Sequence, residues 1–362
     1  METKVTQRNY GIDLLRLVAA IYVVIPHVLN QGGLYTATVP DSAQNYACRI
    51  LLIFTYCTVS IFGMISGFVG YKEPGRRFSI SGYLSLWIDV VFYSIGLTLI
   101  YMYLRPDVVT TETLFNMFFP VTKNLYWYFS AYTVVYFLSP FLNRIVYHCS
   151  EKELHWLFFL IFFIIVPVDY IGADFSLSGG YSSLWLIFMY LLGAIIKKLN
   201  LGASIHPGVA LLAVILINSC FYFINTVHPE INILNISISF ELNYFFTSPF
   251  FLASAVLHVI IFSRMRINAF TQKLIAFAAP ASFAAYIVNV QECFWLYYMK
   301  DHFVHWSDTS PIGIIARTVG FSVLFVLIVI LIDYPKRKLF SCLKIDTGLR
   351  KISEILQKSH SV

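Results

Sequence analysis

Charge is scarce in this chain: Asp, Glu, Lys and Arg make up only 12% of its 362 residues, about half the share usual in soluble domains. The six cysteines, Cys48, Cys57, Cys149, Cys220, Cys293 and Cys342, form no CxxC pair. Neither a zinc site nor a disulfide framework is therefore expected, and they read as small apolar fillers. Room for a soluble domain is also lacking, because the longest segments between apolar runs, near 31–47, 105–123 and 226–243, are short. No signal peptide is read at the start, since an arginine interrupts the first apolar run and no small-x-small cleavage site follows it.

What the chain has in abundance is hydrophobic sequence, 58% of all residues, with a mean hydropathy of +0.72. Ten apolar stretches, near 11–30, 48–70, 82–104, 124–143, 155–171, 181–197, 207–225, 244–263, 274–294 and 311–333, are each long enough for a helix to cross a hydrocarbon core of about 30 Å. The expected fold is an all-α integral membrane bundle of about ten transmembrane helices.

Basic residues orient it, because Lys and Arg concentrate in the cytoplasmic loops beside span ends. With the N-terminus inside, the inner segments collect Lys4, Arg8, Lys72, Arg76, Arg77, Arg144, Lys152, Lys197, Lys198, Arg264, Arg266, Lys273 and the basic tail. The outer side holds only Arg49, Arg105, Lys123 and Lys300. Both termini are thus expected in the cytoplasm. The net charge of +6 is accounted for by this asymmetry, so nucleic acid is not an expected partner; the lipid bilayer is. Residues 1–335 read as the transmembrane domain, and 336–362, containing "LRKISEILQKSH", as a basic tail able to form an amphipathic helix at the inner leaflet.

The first span, "GIDLLRLVAAIYVVIPHVLN", contains Arg16 and His27. Eleven residues turn a helix through about 1100°, close to three full turns, and raise it about 16.5 Å. The two side chains therefore share a face at opposite depths. Asp13, at i, i+3 from Arg16, can pair with it near the inner headgroups. Each polar residue alone could be accommodated, Arg16 by snorkelling and His27 by bonding a neighbouring carbonyl. A shared stripe facing lipid would be costly, which favours a cavity-lining face with the imidazole as proton acceptor.

At these residues the chain resembles the membrane-bound acyltransferase-3 family. "IDLLR", ten residues and then His27 resemble its first-span signature, and "FGMISGF" (62–68) resembles its "ISGY" element. "NLYWYFSAYTVVYFLSPFLNRI" (124–145) is similar to its fourth-span pattern, and "SGGYSSLWLIFMYLLGAIIKK" (178–198) to the branch found in surface-polysaccharide loci. One departure stands in "ASFAAYIVNVQECFW" (281–295), where Asn289 occupies the position of a histidine common in the family.

The resemblance implies transfer of an acyl group, most simply acetyl, from cytoplasmic acyl-CoA to a hydroxyl of an extracytoplasmic surface polysaccharide or lipid-linked glycan. It implies a location in the cell membrane, acyl-CoA as co-substrate, and no permanently bound cofactor or metal. His27 is the expected general base and an acyl-imidazole the less favoured variant. Arg16 would attract a phosphate or orient the carrier. Arg76 and Arg77 would meet nucleotide phosphates, unless they serve only as ordinary positive-inside residues. Glu292 and Arg317 are expected at the depth of His27, where Glu292 could orient the imidazole and Arg317 could steady an oxyanion. A purely structural Glu292–Arg317 pair is the competing expectation. Ser66, Asn124, Trp127 and Tyr128 enter as substrate-binding candidates through the matched elements, with Asp13 and Asn289. Asp89 and His258 are expected to cap or bridge helices. Two other classes stay open: a transporter or flippase for a lipid-linked sugar or small solute, and a catalytically silent relative.

Overall fold

The structure, a computed structural model, describes residues 8–72, 80–121, 123–227, 230–233, 236–239 and 246–358. The principal helices are α1 (Tyr10–Leu29), α2 (Ala43–Thr55), α3 (Thr58–Gly70), α4 (Ile80–Leu104), α5 (Trp127–His148) and α6 (Glu151–Tyr170). They are followed by α7 (Ser183–Leu199), α8 (Pro207–Val227), α9 (Pro249–Ser263), α10 (Ala269–Ala278), α11 (Ala281–Val290), α12 (Pro311–Cys342) and α13 (Ile345–Lys358).

Seven segments among the described residues are long and apolar enough to cross a membrane: α1, α2 with α3, α4, α6, α8, α10 with α11, and α12. Helices also occupy the other three expected stretches, as α5, α7 and α9, but these fall outside that length and composition standard. The outward faces explain the composition. On α8, Leu211, Leu212, Ile215, Leu216 and Phe223 are exposed, and on α6 Trp156, Phe159 and Phe163 are. Apolar faces of this extent are stable against lipid, not against water. The segment expected to be an outer loop near 226–243 contains a small antiparallel ribbon, β1 (Glu230–Ile233) paired with β2 (Ile236–Ser239).

Helix α1 is the hub, packing against α2, α3, α9, α10, α11 and α12. Asn9 starts it: its Oδ1 accepts from the Ile12 amide at 3.0 Å, and its Nδ2 donates to the Ser263 carbonyl at 2.7 Å, so one cap residue also ties α1 to the end of α9. A Cβ at Gly11 would overlap the Phe262 carbonyl. A second close crossing is between α3 and α7. There a Cβ on Gly67 would overlap the Tyr190 carbonyl, and one on Gly193 the Met64 carbonyl. Small residues let the two backbones meet, as is usual where lipid removes any hydrophobic drive for helices to associate.

The expected boundary at 335/336 falls inside a continuous helix. α12 runs through Pro335 to Cys342, and its end is fastened to α4 by a buried ionic cluster. Lys336 Nζ lies 2.9 Å from both Asp89 Oδ1 and Asp333 Oδ1, Arg337 Nε lies 2.8 Å from Asp333 Oδ2, and Tyr93 donates to Asp333 Oδ1 at 2.8 Å. Asp89 thus bridges helices. Beyond it, α13 packs on α4, burying Leu349 while Ile352 and Ile355 stay exposed.

Candidate active site

A cavity of about 800 Å³ runs along α1. Arg16, Val23, Pro26, His27, Asn30 and Gln31 line it from that helix and its C-terminal turn, and this spacing is one face of a helix. From Arg16 to His27 the stripe rises about 16.5 Å, about half of a hydrocarbon core. Thr58, Val59, Phe62, Ile65 and Ser66 of α3 form a second wall, Trp127, Tyr128 and Tyr132 of α5 a third, and Ser282, Phe283, Tyr286 and Val290 of α11 a fourth. Arg16 and His27, paired by periodicity in the sequence, do open into a common space.

At one end of the stripe, Asp13 is buried and doubly paired. Its Oδ1 meets Arg16 Nη1 at 2.9 Å and its Oδ2 meets Arg8 Nε at 2.6 Å. It does not line the cavity; it holds Arg16 in place. At the other end, His27 Nδ1 is hydrogen-bonded to Asn289 Oδ1. Since an amide oxygen only accepts, Nδ1 carries the proton and Nε2 keeps its lone pair. The indole of Trp295 meets the imidazole edge-on, with ring centroids 4.8 Å apart, and fixes the ring from a second side. Asn289 is fully buried, and its Nδ2 has no partner among the described residues.

The remaining candidates divide. Ser66, Trp127 and Tyr128 line the cavity; Ser66 Oγ donates to the Phe62 carbonyl at 2.9 Å, a bond within its own helix. Asn124 does not: it is exposed in the turn before α5, with φ +50°. Glu292 is half-buried beyond the end of α11, off the cavity and without a hydrogen bond to His27. Asn289 takes the position expected of Glu292, because a helix that presents residue 289 to His27 turns residue 292 about 300° onward, past a break at Gln291. Arg317 is exposed on α12, and among the described residues it makes no ion pair with Glu292 or any other carboxylate. Arg76 and Arg77 lie outside the described residues. His258 is buried and bonds through Nδ1 to the Ser254 carbonyl at 2.7 Å within α9.

Several lining residues were not legible beforehand. Asn30 and Gln31 follow His27 at i+3 and i+4, so extending the stripe one turn would have found them. Tyr56, which accepts from Asn30 Nδ2 at 3.3 Å, and Trp295, Tyr181 and Phe246 come from elements whose approach to α1 leaves no local signal. The last two form an aromatic mouth with Trp127: ring centroids lie 4.6 Å apart for Trp127–Tyr181 and 5.0 Å for Tyr181–Phe246.

Fold and cavity together define an integral membrane protein whose central helix presents a guanidinium and an oriented imidazole to one cavity. A family model described as an acyltransferase domain matches residues 9–334, and the chain belongs to the acyltransferase-3 family. It is a membrane acyltransferase. No curated protein and no solved structure matches it.

Proposed function

We propose that this protein moves an acetyl group from cytoplasmic acetyl-CoA to a hydroxyl of an extracytoplasmic surface glycan, and that it works in the cell membrane with both termini inside. One observation supports this reading above the others: the cavity joins Arg16 to His27 along a single helix face. The pantetheine arm of an acyl-CoA held at the Arg16 end would extend about 16.5 Å to bring its thioester to the imidazole. Arg16, with its forked donors, suits a phosphate at the inner mouth. The aromatic mouth of Trp127, Tyr181 and Phe246 suits the apolar face of a sugar ring at the other end.

In the reaction, Nε2 of His27 accepts the proton of the acceptor hydroxyl as its oxygen attacks the thioester carbonyl. The tetrahedral adduct collapses with cleavage of the carbon–sulfur bond. The proton then passes from the imidazolium to the departing thiolate, leaving an ester and free CoA. Asn289 keeps the proton on Nδ1 throughout, a duty that hydrolase triads give to a carboxylate.

The test is transfer of radiolabelled acetyl from acetyl-CoA to isolated surface glycan by the purified full-length protein in nanodiscs. Wild type is expected to form alkali-labile O-acetyl ester, and His27→Ala to lose about a hundredfold or more in kcat. No transfer by wild type, or an undiminished rate in the alanine variant, overturns the reading.

A further inference from the structure

A second recess of about 460 Å³ lies where the start of α1 meets the end of α9 and the start of α10. Arg8, Arg264 and Arg266 line it with Asn9, Tyr10 and Gln272. Their donors are unequally engaged. Arg264 reaches back over the end of α7, bonding the Gly202 carbonyl and, at 3.2 Å, that of Leu201. Its hydrogen bonds are spent there, while its charge is not neutralised. Arg266 is exposed and makes no ion pair or hydrogen bond among the described residues. Arg8 is paired with Asp13.

Asp13 makes this recess more than a basic patch. The same carboxylate bonds Arg8, which lines the recess, and Arg16, which lines the large cavity. It lines neither space, and links them through its two ion pairs. Among the described residues it is the one acidic side chain paired with any of Arg8, Arg16, Arg264 or Arg266. Four guanidiniums with one carboxylate leave a surplus that suits a multiply charged anion. A phosphate entering beside Arg8 competes with Asp13 for that guanidinium, and so reaches the ion pair that positions Arg16.

We infer that this recess is a phosphate-binding subsite that holds the nucleotide end of the acyl carrier, with Arg8 and Arg266 as its anion ligands and Asp13 coupling it to Arg16. The inference rests on the acyl-CoA reading above and adds to it the place of a nucleotide phosphate further along the carrier than the one Arg16 meets. Arg264 serves as a positioning residue, fastening the end of α9 to the end of α7 beneath the recess. Phosphate chemistry is shared by nucleotides and by lipid headgroups, and the experiment separates the two sources.

Binding of CoA and of adenosine 3′,5′-bisphosphate, a probe with phosphates and no pantetheine arm, is measured by calorimetry on the full-length protein in phosphatidylcholine nanodiscs. Arg8→Gln and Arg266→Gln are each expected to weaken both ligands about tenfold. Arg266→Lys, which keeps the charge, should recover part of the loss. Lys338→Gln, which removes an exposed charge on α12, should leave binding unchanged. Equal weakening by Lys338→Gln would reduce the recess to general surface charge and overturn the assignment. CoA binding undiminished in Arg8→Gln and Arg266→Gln would also overturn it, leaving the acyl-CoA reading intact. If phosphatidylglycerol nanodiscs abolish nucleotide binding only when Arg266 is present, while CoA-dependent transfer continues, the recess belongs to a lipid headgroup and the nucleotide assignment fails. Absence of any CoA binding by wild type would remove the functional reading and this inference together.

Discussion

Replacing Asn289 with alanine tests the arrangement around His27 most directly. Asn289 Oδ1 is the hydrogen-bond partner of His27 Nδ1, and Asn289 does not line the cavity. The substitution therefore deprives the imidazole of its orienting acceptor without removing a surface that substrate touches. A buried donor left without a partner costs about 1–3 kcal/mol. Part of that cost can be relieved by ring rotation or by the other tautomer, and both of those take the lone pair away from the cavity. Charged against the transition state alone, the loss corresponds to about fivefold to 150-fold in kcat. KM for acyl-CoA and for the glycan should stay near the wild-type values. Asn289→Asp keeps an acceptor oxygen at the same place and should recover most of the rate. Initial rates of acetyl transfer across a range of acetyl-CoA concentrations separate the two constants, and the elution profile in detergent reports on folding. A kcat for Asn289→Ala within twofold of wild type would show that His27 needs no partner. A loss confined to KM would show that Asn289 contacts substrate.

Two further predictions concern the frame that carries the site. Gly193→Ala should lower the midpoint of thermal unfolding in detergent, because its new methyl meets the Met64 carbonyl; overpacking of this kind costs about 1–3 kcal/mol, and Gly320→Ala, with open space around it, is the control. Lys336→Met should be more damaging, since it strands Asp89 and Asp333 beside one another without the ammonium that bonds both. Losing one partner of a buried ionic cluster costs about 3–5 kcal/mol, and Asp89→Asn combined with Lys336→Met should restore part of the loss in the same unfolding assay.

The His27–Asn289 pair also gives meaning to the departure from the family pattern in α11. Where the resemblance leads to the expectation of a histidine, this chain has an amide that can accept from the imidazole, cannot titrate, and leaves Nδ2 buried without a partner among the described residues. A histidine there would offer either a donor or an acceptor according to its tautomer, whereas the asparagine oxygen enforces one state of His27.

Within a single helix, sequence determined nearly everything that mattered. Helical periodicity put Arg16 and His27 on one face, and i, i+3 spacing paired Asp13 with Arg16, because a helix fixes angle and rise per residue whatever surrounds it. Apolar run lengths placed the long helices, since a hydrocarbon core demands a minimum of hydrophobic residues in succession. Between helices only the tertiary structure decided. Depth along two spans made Glu292 and Arg317 suitable neighbours for His27, but depth says nothing about the rotation of one helix against another. That rotation turned Asn289 inward and left Arg317 exposed. The matched motif around residues 124–128 held Asn124, Trp127 and Tyr128 alike, and the turn into α5 sent only the last two to the cavity. Small residues at Gly11, Gly67 and Gly193 set how closely the backbones approach, and partners hundreds of positions apart, such as Tyr93 with Asp333 or Asn9 with Ser263, set the angles. Such choices are made by the fit of whole surfaces, which no local pattern of residues encodes.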